Sequence, residues 1–218
     1  MDLDYPKTLL ALRSLAALGI VTDADAVLRR VGIYRDLCST WNLAAKLMSR
    51  GDLEERFDDH VADSLALAHR VKQALANGLN YVDIGSGGGF PAIALGAAFI
   101  VESAILIERS AAKADFLRMA IRRLELDVFR VIEQSFPSGF KREGPTLFTA
   151  RATENPKAID TSIAERLEVG DEYLAQREPR IGDAFPHLTS TLIEDEFAKT
   201  GLRRGVLYKV SFPVPRGT

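Results

Sequence analysis

Apolar residues recur at helical spacing through the first third of the chain. Leu9, Leu12, Leu15 and Ala16 form one stripe over residues 5–18, and Gly19 ends it. Thr22 and Asp23 can cap a second helix, whose stripe is Ala26, Val27, Val31, Tyr34, Leu37 and Trp41. Gly51-Asp52 interrupts the pattern, and Asp52 is placed to cap a short helix. From about Asp58 to Ala76, the positions Val61, Leu65, Ala68 and Val71 predict one longer helix, which Asn77-Gly78 stops. The period then changes. Apolar runs at 80–84, 103–107, 128–132 and 147–150 read as strands. Helical stripes intervene at 91–99, 111–124 and 156–167; the middle one carries Phe116, Leu117, Ala120, Ile121 and Leu124. A strand at 171–175, a polar loop at 176–183 and an antiparallel pair at 188–197 and 203–212, separated by Thr200-Gly201, complete the chain. Strands alternating with helices imply a mainly parallel sheet covered on both faces. The expected fold is therefore α/β, a doubly wound, mainly parallel sheet with an N-terminal helical cap. Residues 1–78 form the cap and 79–218 the ligand-binding domain. No internal repeat or low-complexity segment interrupts this plan.

The richest stretch is Tyr81-Val82-Asp83-Ile84-Gly85-Ser86-Gly87-Gly88-Gly89-Phe90-Pro91. It reads as a buried strand, a glycine turn and the first turn of a helix, where proline fits because its missing N–H would be unpaired there anyway. Such a junction brings bare backbone against a ligand. The dinucleotide fingerprint G-x-G-x-x-G fails here, because Phe90 stands where the third glycine belongs. Asp83, at the strand end, disfavours a pyrophosphate and suits a cation. S-adenosylmethionine (SAM) carries a sulfonium, an ammonium and a ribose, and no phosphate. Glu108, at the end of the next strand, is placed to accept ribose hydroxyls. NAD would use the same acid, so Glu108 alone leaves both cofactors open. The triple glycine, Asp83 and Glu108 together favour SAM. The candidate cofactor residues are Asp83, Gly85, Ser86, Gly87, Gly88, Gly89, Phe90 and Glu108. A tight turn with no ligand is the bland alternative, and three consecutive glycines make it entropically costly.

Composition narrows the classes. With 218 residues, 47% hydrophobic and 27% charged, the chain has the balance of a soluble globule. No apolar run approaches membrane-helix length, and the acidic start Met1-Asp2-Leu3-Asp4 lacks the pattern of a secretory signal. The single cysteine, Cys38, excludes an internal disulfide framework. The three histidines, His60, His69 and His187, have no ligand-like spacing, so no metal is expected. The compartment expected is the cytoplasm. A net charge of −2 argues mildly against a general nucleic-acid binder, although a local basic face is compatible with it.

The motif order resembles the RsmG (GidB) family of SAM-dependent methyltransferases. Residues 83–91 look like that family's D-I-G-S-G-G-G-F-P signature, with every position kept. Trp41-Asn42 is similar to the start of its W-N-x-x-x-N-L-T segment, and His60, Asp63, Ser64 and Leu65 to its R-H-x-x-D-S-L segment. Glu108 with Lys113, Phe116, Leu117 and Arg118 resembles its acid and K-x-x-F-L-R helix; Ala150-Arg151-Ala152 resembles its A/S-R-A turn. The chain departs from the pattern at Lys46-Leu47-Met48, at Asp59 and across 173–179, where a lysine-glycine pair is missing. The resemblance implies a class I, Rossmann-like methyltransferase that uses SAM to methylate a guanine N7 of 16S ribosomal RNA. Its partner would be ribosomal RNA or the small ribosomal subunit, with no membrane, and a monomer is the expectation. A same-fold methyltransferase of a small molecule or another RNA, and a non-catalytic binding protein, are the alternatives.

Guanine N7 has an exposed lone pair and no proton to remove, so alignment and exclusion of water would carry the chemistry. The candidate catalytic residue is Arg151, as a donor to substrate phosphate or the guanine edge; the bland alternative is an ion pair with a nearby acid. Arg109 and Lys113 read either as phosphate contacts or as a solvated helix face, and Arg118, Arg122 and Arg123 as the latter. His60, Asp63 and Ser64 share one helix, where a serine nucleophile would lack the sharp turn it needs. They read as polar packing of the cap or as a border of the pocket. Trp41 reads as core, Cys38 as a small buried hydrophobe, and Phe90 as pocket lining or a plug on the sheet.

Overall fold

The computed structural model describes residues 5–151, 155–181 and 184–213. The N-terminal cap is helical throughout. Helix α1 (Pro6–Ala17) opens on its proline, and α2 (Ala24–Ala45) opens on Asp23, whose carboxylate accepts the Ala26 N–H at 2.8 Å. Lys46, in the left-handed conformation with φ 50°, ends α2. The short helix α3 (Arg50–Glu55) is capped by Ser49, not by Asp52: the Ser49 hydroxyl accepts the Asp52 N–H at 3.0 Å and donates to the Asp52 carboxylate at 2.7 Å.

The long helix expected over 58–76 is two helices, α4 (Phe57–Leu65) and α5 (Ala68–Ala76). Ser64 Oγ donates back to the His60 carbonyl at 2.8 Å, a bond that bends helices. Leu67 N–H then reaches only to the Ser64 carbonyl, tightening the turn. Both Ala66 and Leu67 are buried at this bend.

The sheet elements follow as β1 (Asn80–Ile84), α6 (Ala92–Ala97), β2 (Ser103–Ile107), α7 (Ala111–Arg123), β3 (Val128–Ile132), β4 (Thr146–Ala150), α8 (Pro156–Ala164), β5 (Glu172–Ala175), β6 (Thr189–Leu192) and β7 (Tyr208–Ser211). The described strands form one sheet in the order β3-β2-β1-β4-β5-β7-β6. All pairings from β3 to β5 are parallel, and β7 runs antiparallel between β5 and β6. The strand order reverses between β1 and β4, which is where an open α/β sheet leaves a crevice beyond its carboxyl ends. The terminal pair is shorter than the sequence suggests. Its strands are joined by a folded connection, closed by Ile193 N–H to Leu207 O at 2.7 Å and by the buried Asp195–Arg203 pair at 2.9 Å.

One hydrophobic cluster runs from the cap helices through α6 and α7 to one face of the sheet; a second packs α8 and Tyr173 on the other face. Arg30 of α2 joins cap to sheet. Its guanidinium donates to Ala97 O at 3.0 Å and Leu124 O at 2.5 Å, satisfying carbonyls at the ends of α6 and α7. No helix among the described residues is long and apolar enough to cross a membrane.

Gly96 is where α6 presses hardest on its neighbours. A Cβ there would lie 2.8 Å from Phe129 Cζ and 3.0 Å from Leu126 Cδ1. Gly96→Val is therefore expected to destabilise the protein by about 2 kcal/mol through overpacking, measured by urea unfolding. A variant as stable as wild type would show that α6 can lift off β3 at no cost.

Candidate active site

The glycine turn leaves β1 beneath the carboxyl end of the neighbouring strand. Gly85 N–H donates to Ile107 O at 2.8 Å, and Ser86 Oγ to Asp83 O at 3.1 Å. Glu108, just past β2, closes the arrangement: its Oε2 accepts Gly87 N–H at 2.9 Å and its Oε1 accepts Ser110 N–H at 2.8 Å. From above, Tyr34 of α2 donates its hydroxyl to the Gly88 carbonyl. The helix after the turn begins at Ala92, so Pro91 precedes it instead of opening it.

The glycines do different work. At Gly89 (φ 91°) an added Cβ would lie 2.7 Å from Ile93 Cγ1 and 2.8 Å from the Tyr34 hydroxyl. That glycine is required by packing. At Gly87 (φ 53°) the nearest heavy atom to an added Cβ is Gly85 O, at 3.7 Å. Here the backbone is bare and the space above it open.

That space is a cleft of about 480 Å³. Gly85, Ser86, Gly87, Gly88, Phe90, Glu108 and Arg151 all contribute to its wall, so most of the residues singled out in the sequence converge on it. Asp83 and Gly89 stand behind the wall, buried. Arg109 and Lys113 reach the cleft, whereas Arg118 lies on a solvated face, paired with Asp115 at 2.8 Å and Glu133 at 2.9 Å. Trp41 packs edge-on against Phe116, and Cys38 is buried, its thiol pKa pushed up by that burial.

Other wall residues were not among the site residues read from the sequence. Leu47, Met48, Gln134, Ser135 and Ile159 line the cleft, as does Asn155, which caps α8 by accepting Ala158 N–H. Gln134 and Ser135 follow the carboxyl end of β3, so the rule that ligands bind beyond the carboxyl ends of the strands could have found them. Leu47 and Met48 stood out only as a departure from the family pattern; they enter because Lys46 turns the chain back over the glycines. Tyr34 looked like one more stripe residue of α2.

Arg151 is both cleft wall and ion-pair partner. Its Nη1 donates to Asp63 Oδ2 at 2.8 Å, its Nη2 meets His60 Nδ1 at 3.3 Å, and its guanidinium lies 4.9 Å from the Phe90 ring centre. His60 is itself 5.4 Å from that ring. Burial and the nearby Arg151 and Arg204 lower the His60 pKa to about 4. The imidazole is therefore neutral at pH 7, and an accepting Nδ1 puts its proton on Nε2, toward Asp52 Oδ1 at 3.7 Å. Ala152, the last residue of the A-R-A resemblance, lies outside the described residues.

Asp83 is fully buried. Its Oδ1 accepts the Thr149 hydroxyl at 2.7 Å, and Thr149 Oγ1 is also bonded to the Tyr81 hydroxyl at 2.9 Å. Its Oδ2 has no partner among the described residues. Burial pushes the Asp83 pKa up to about 7. Among the described residues, no group of three or more His, Cys, Asp or Glu side chains could hold a metal ion.

Comparison with known proteins places this geometry. Residues 28–183 match the family described as rRNA small subunit methyltransferase G. The ribosomal RNA small subunit methyltransferase G of Chloroflexus aggregans is 33% identical over 148 residues, which are 66% of this chain and 61% of that protein. Its namesake from Brucella ovis is 33% identical over 153 residues, 68% of this chain and 69% of that one. The chain spans half or less of the length of several further relatives of that name. Among solved structures, an O-methyltransferase from Bacillus cereus in complex with SAH superimposes with a TM-score of 0.56 at 14% identity, over 92% of this chain and 96% of that one. The architecture is the Rossmann-like fold of class I methyltransferases.

The raised pKa of Asp83 makes stability depend on pH. An unfolded aspartate ionises near pH 4, whereas the folded one keeps its proton to about pH 7. Between these values the native state binds more protons than the unfolded state, so this group's contribution falls as pH rises. Asp83→Asn removes that slope. In ligand-free protein, the variant should gain stability relative to wild type between pH 5 and pH 8, read by urea unfolding at both. A difference that does not change with pH would contradict the burial argument.

Proposed function

We propose a function from one established premise: the chain belongs to the rRNA small subunit methyltransferase G family. In this reading the cleft binds SAM, and the protein transfers the methyl group to a guanine N7 of 16S ribosomal RNA. The partner is ribosomal RNA or the small ribosomal subunit, met in the cytoplasm. Residues 79–218 form the cofactor-binding unit, and the cap, 1–78, shapes the substrate side.

The observation that carries the reading is the pairing of two features on one wall. The Gly87 turn leaves its backbone uncovered, and the Glu108 carboxylate stands beside it at the carboxyl end of β2, next to β1. These residues fit a cationic, ribose-bearing cofactor. Each Glu108 oxygen accepts one backbone N–H and keeps a second lone pair for a hydroxyl. Asp83, with an orphaned oxygen, supplies negative potential beneath the turn, and an arriving cation would favour its ionised form. When bound, SAM supplies an electrophilic methyl group on its sulfonium. The chain's own contribution is alignment. Phe90 gives the base an apolar surface that excludes water, and Arg151 gives the base edge or a phosphate a fixed planar donor. Guanine N7 has no proton to lose, so no general base is required, and His60 beside Arg151, its pKa lowered to about 4, would be a weak one.

Two outcomes test this reading. Gly87→Val puts a β-branched side chain at φ 53° and into the open space, and should weaken SAM binding more than about 100-fold by calorimetry. Unchanged affinity would reject the cofactor site. Arg151→Glu should cut methylation strongly while leaving SAM affinity within about threefold, and RNA binding should weaken as salt rises, because phosphate contacts release counterions. The assay is labelled SAM with unmodified small subunits, followed by chemical cleavage at N7-methylguanine. Good SAM binding with no label in RNA would instead favour a small-molecule substrate.

A further inference from the structure

The Arg151 guanidinium does not hold its place unaided. Asp63, on α4, is only 3% exposed. Its Oδ2 accepts Arg151 Nη1 at 2.8 Å, and its Oδ1 accepts the Arg204 backbone N–H at 2.7 Å. Arg204 is further tied to α4 through its side chain, Nη2 to Asp59 Oδ2 at 2.9 Å, and Asp59 in turn holds Lys7 of α1 at 2.6 Å. One buried carboxylate thus joins the cap, the end of β4 and the connection between β6 and β7. That connection lies beyond residue 183, where the family match ends.

We infer that Asp63 is a positioning residue: it fixes Arg151 against Phe90 at the cleft wall and makes that placement depend on the C-terminal segment at Arg204. The inference rests on the reading of Arg151 as a residue that meets substrate. An arginine with a free side chain would sample many rotamers and lose that freedom each time substrate bound. The ion pair, the His60 contact and the Phe90 face remove the freedom in advance, so the donor is set before RNA arrives. Nothing in this arrangement asks Asp63 to touch the cofactor, because the glycine turn and Glu108 lie on other elements.

A double-mutant cycle separates positioning from a merely structural role. Asp63→Asn should lower kcat about tenfold or more at saturating SAM, since a small displacement of a positioning group carries such costs. Calorimetric SAM affinity should stay within about twofold. In an Arg151→Lys background, Asp63→Asn should change kcat by less than about twofold, because its effect passes through Arg151. Losses that simply multiply, or an unaltered kcat in the single variant, would overturn the inference. If Asp63→Asn does not fold, Asp63→Glu takes its place in the cycle under the same criteria, with a smaller loss expected because the charge is kept.

A second readout needs no activity. Phenylglyoxal modification followed by mass spectrometry should find Arg151 protected in wild type relative to Arg50, whose side chain is 88% exposed, and released in Asp63→Asn. Equal rates in wild type and variant would overturn the inference. If wild type methylates no RNA, the functional reading fails by itself, and the labelling arm still decides whether Asp63 holds Arg151.

Discussion

Glu108 accepts one backbone N–H from the glycine turn and one from the start of α7, and the position of the whole cleft follows from that pair of bonds. The same device recurs at other loops that flank the sheet. Asp171 takes Thr146 N–H at 2.8 Å, Glu168 N–H at 2.8 Å and the Arg142 guanidinium, fixing the start of β4. Asp160 gathers the Tyr173 hydroxyl, Arg177 and Arg180 N–H onto α8. Asp63 joins Arg151 to Arg204. A carboxylate has several acceptor sites and two directions of approach, so it can satisfy donors from separate elements that a carbonyl could not reach together. A buried ion pair is weak evidence for stability by itself, because desolvation offsets its attraction. Removing one partner is different: it leaves an uncompensated charge and costs roughly 3–5 kcal/mol. Such joints therefore specify geometry more than they add stability, and geometry is what the proposed alignment-driven transfer would need.

What the sequence made legible has a physical limit. Strand-helix alternation, the glycine turn and the acids ending β1 and β2 were readable because each has a local cause: a period, a conformational demand, a position in a motif. The break between α4 and α5 was not, because Val61, Leu65, Ala68 and Val71 keep helical spacing across it. Only the Ser64 back-bond and the burial of Ala66 and Leu67 reveal the bend. The cleft's far wall was equally hidden. Leu47 and Met48 arrive by a left-handed turn at Lys46, and Tyr34 by tertiary packing over Gly88. Gly89 was legible as necessary, and the structure adds a packing reason the sequence did not show: an added Cβ would meet Ile93 and Tyr34, whereas at Gly87 the space is open.

Arg151 illustrates how two readings of one residue need not exclude each other. A substrate contact and an ion pair with a nearby acid were set against each other, yet the side chain lines the cleft and is paired with Asp63. Arginine permits this because its donors fan out in a plane: one edge can be committed to a carboxylate while the face lies on an aromatic ring. Lysine, a point charge with rotatable donors, could not be oriented in the same way. The neighbouring His60 stays neutral at pH 7, so it adds no competing charge beside the guanidinium.

The departures from the family pattern can be weighed on the same terms. Across 173–179 the lysine-glycine pair is missing, which removes both a mobile cation and a flexible backbone position. Arg177 stands there instead, held by Asp160 through Nη1 at 2.5 Å and Nη2 at 2.8 Å, with Tyr173 on the same carboxylate. A bidentate arginine in this setting is an anchor, not a probe reaching for phosphate. Asp59 is likewise committed, to Lys7 and Arg204. These two departures place groups locked into the scaffold; the third, at Lys46-Leu47-Met48, lines the cleft through Leu47 and Met48. Under the proposed reading, the cations placed to meet a polyanion are those that line the cleft beside Glu108: Arg109, Lys113 and Arg151. In a chain of net charge −2, three cations gathered on one cleft, with Asp52 and Glu108 beside them, would on that reading supply the local field that an acidic protein needs to attract RNA.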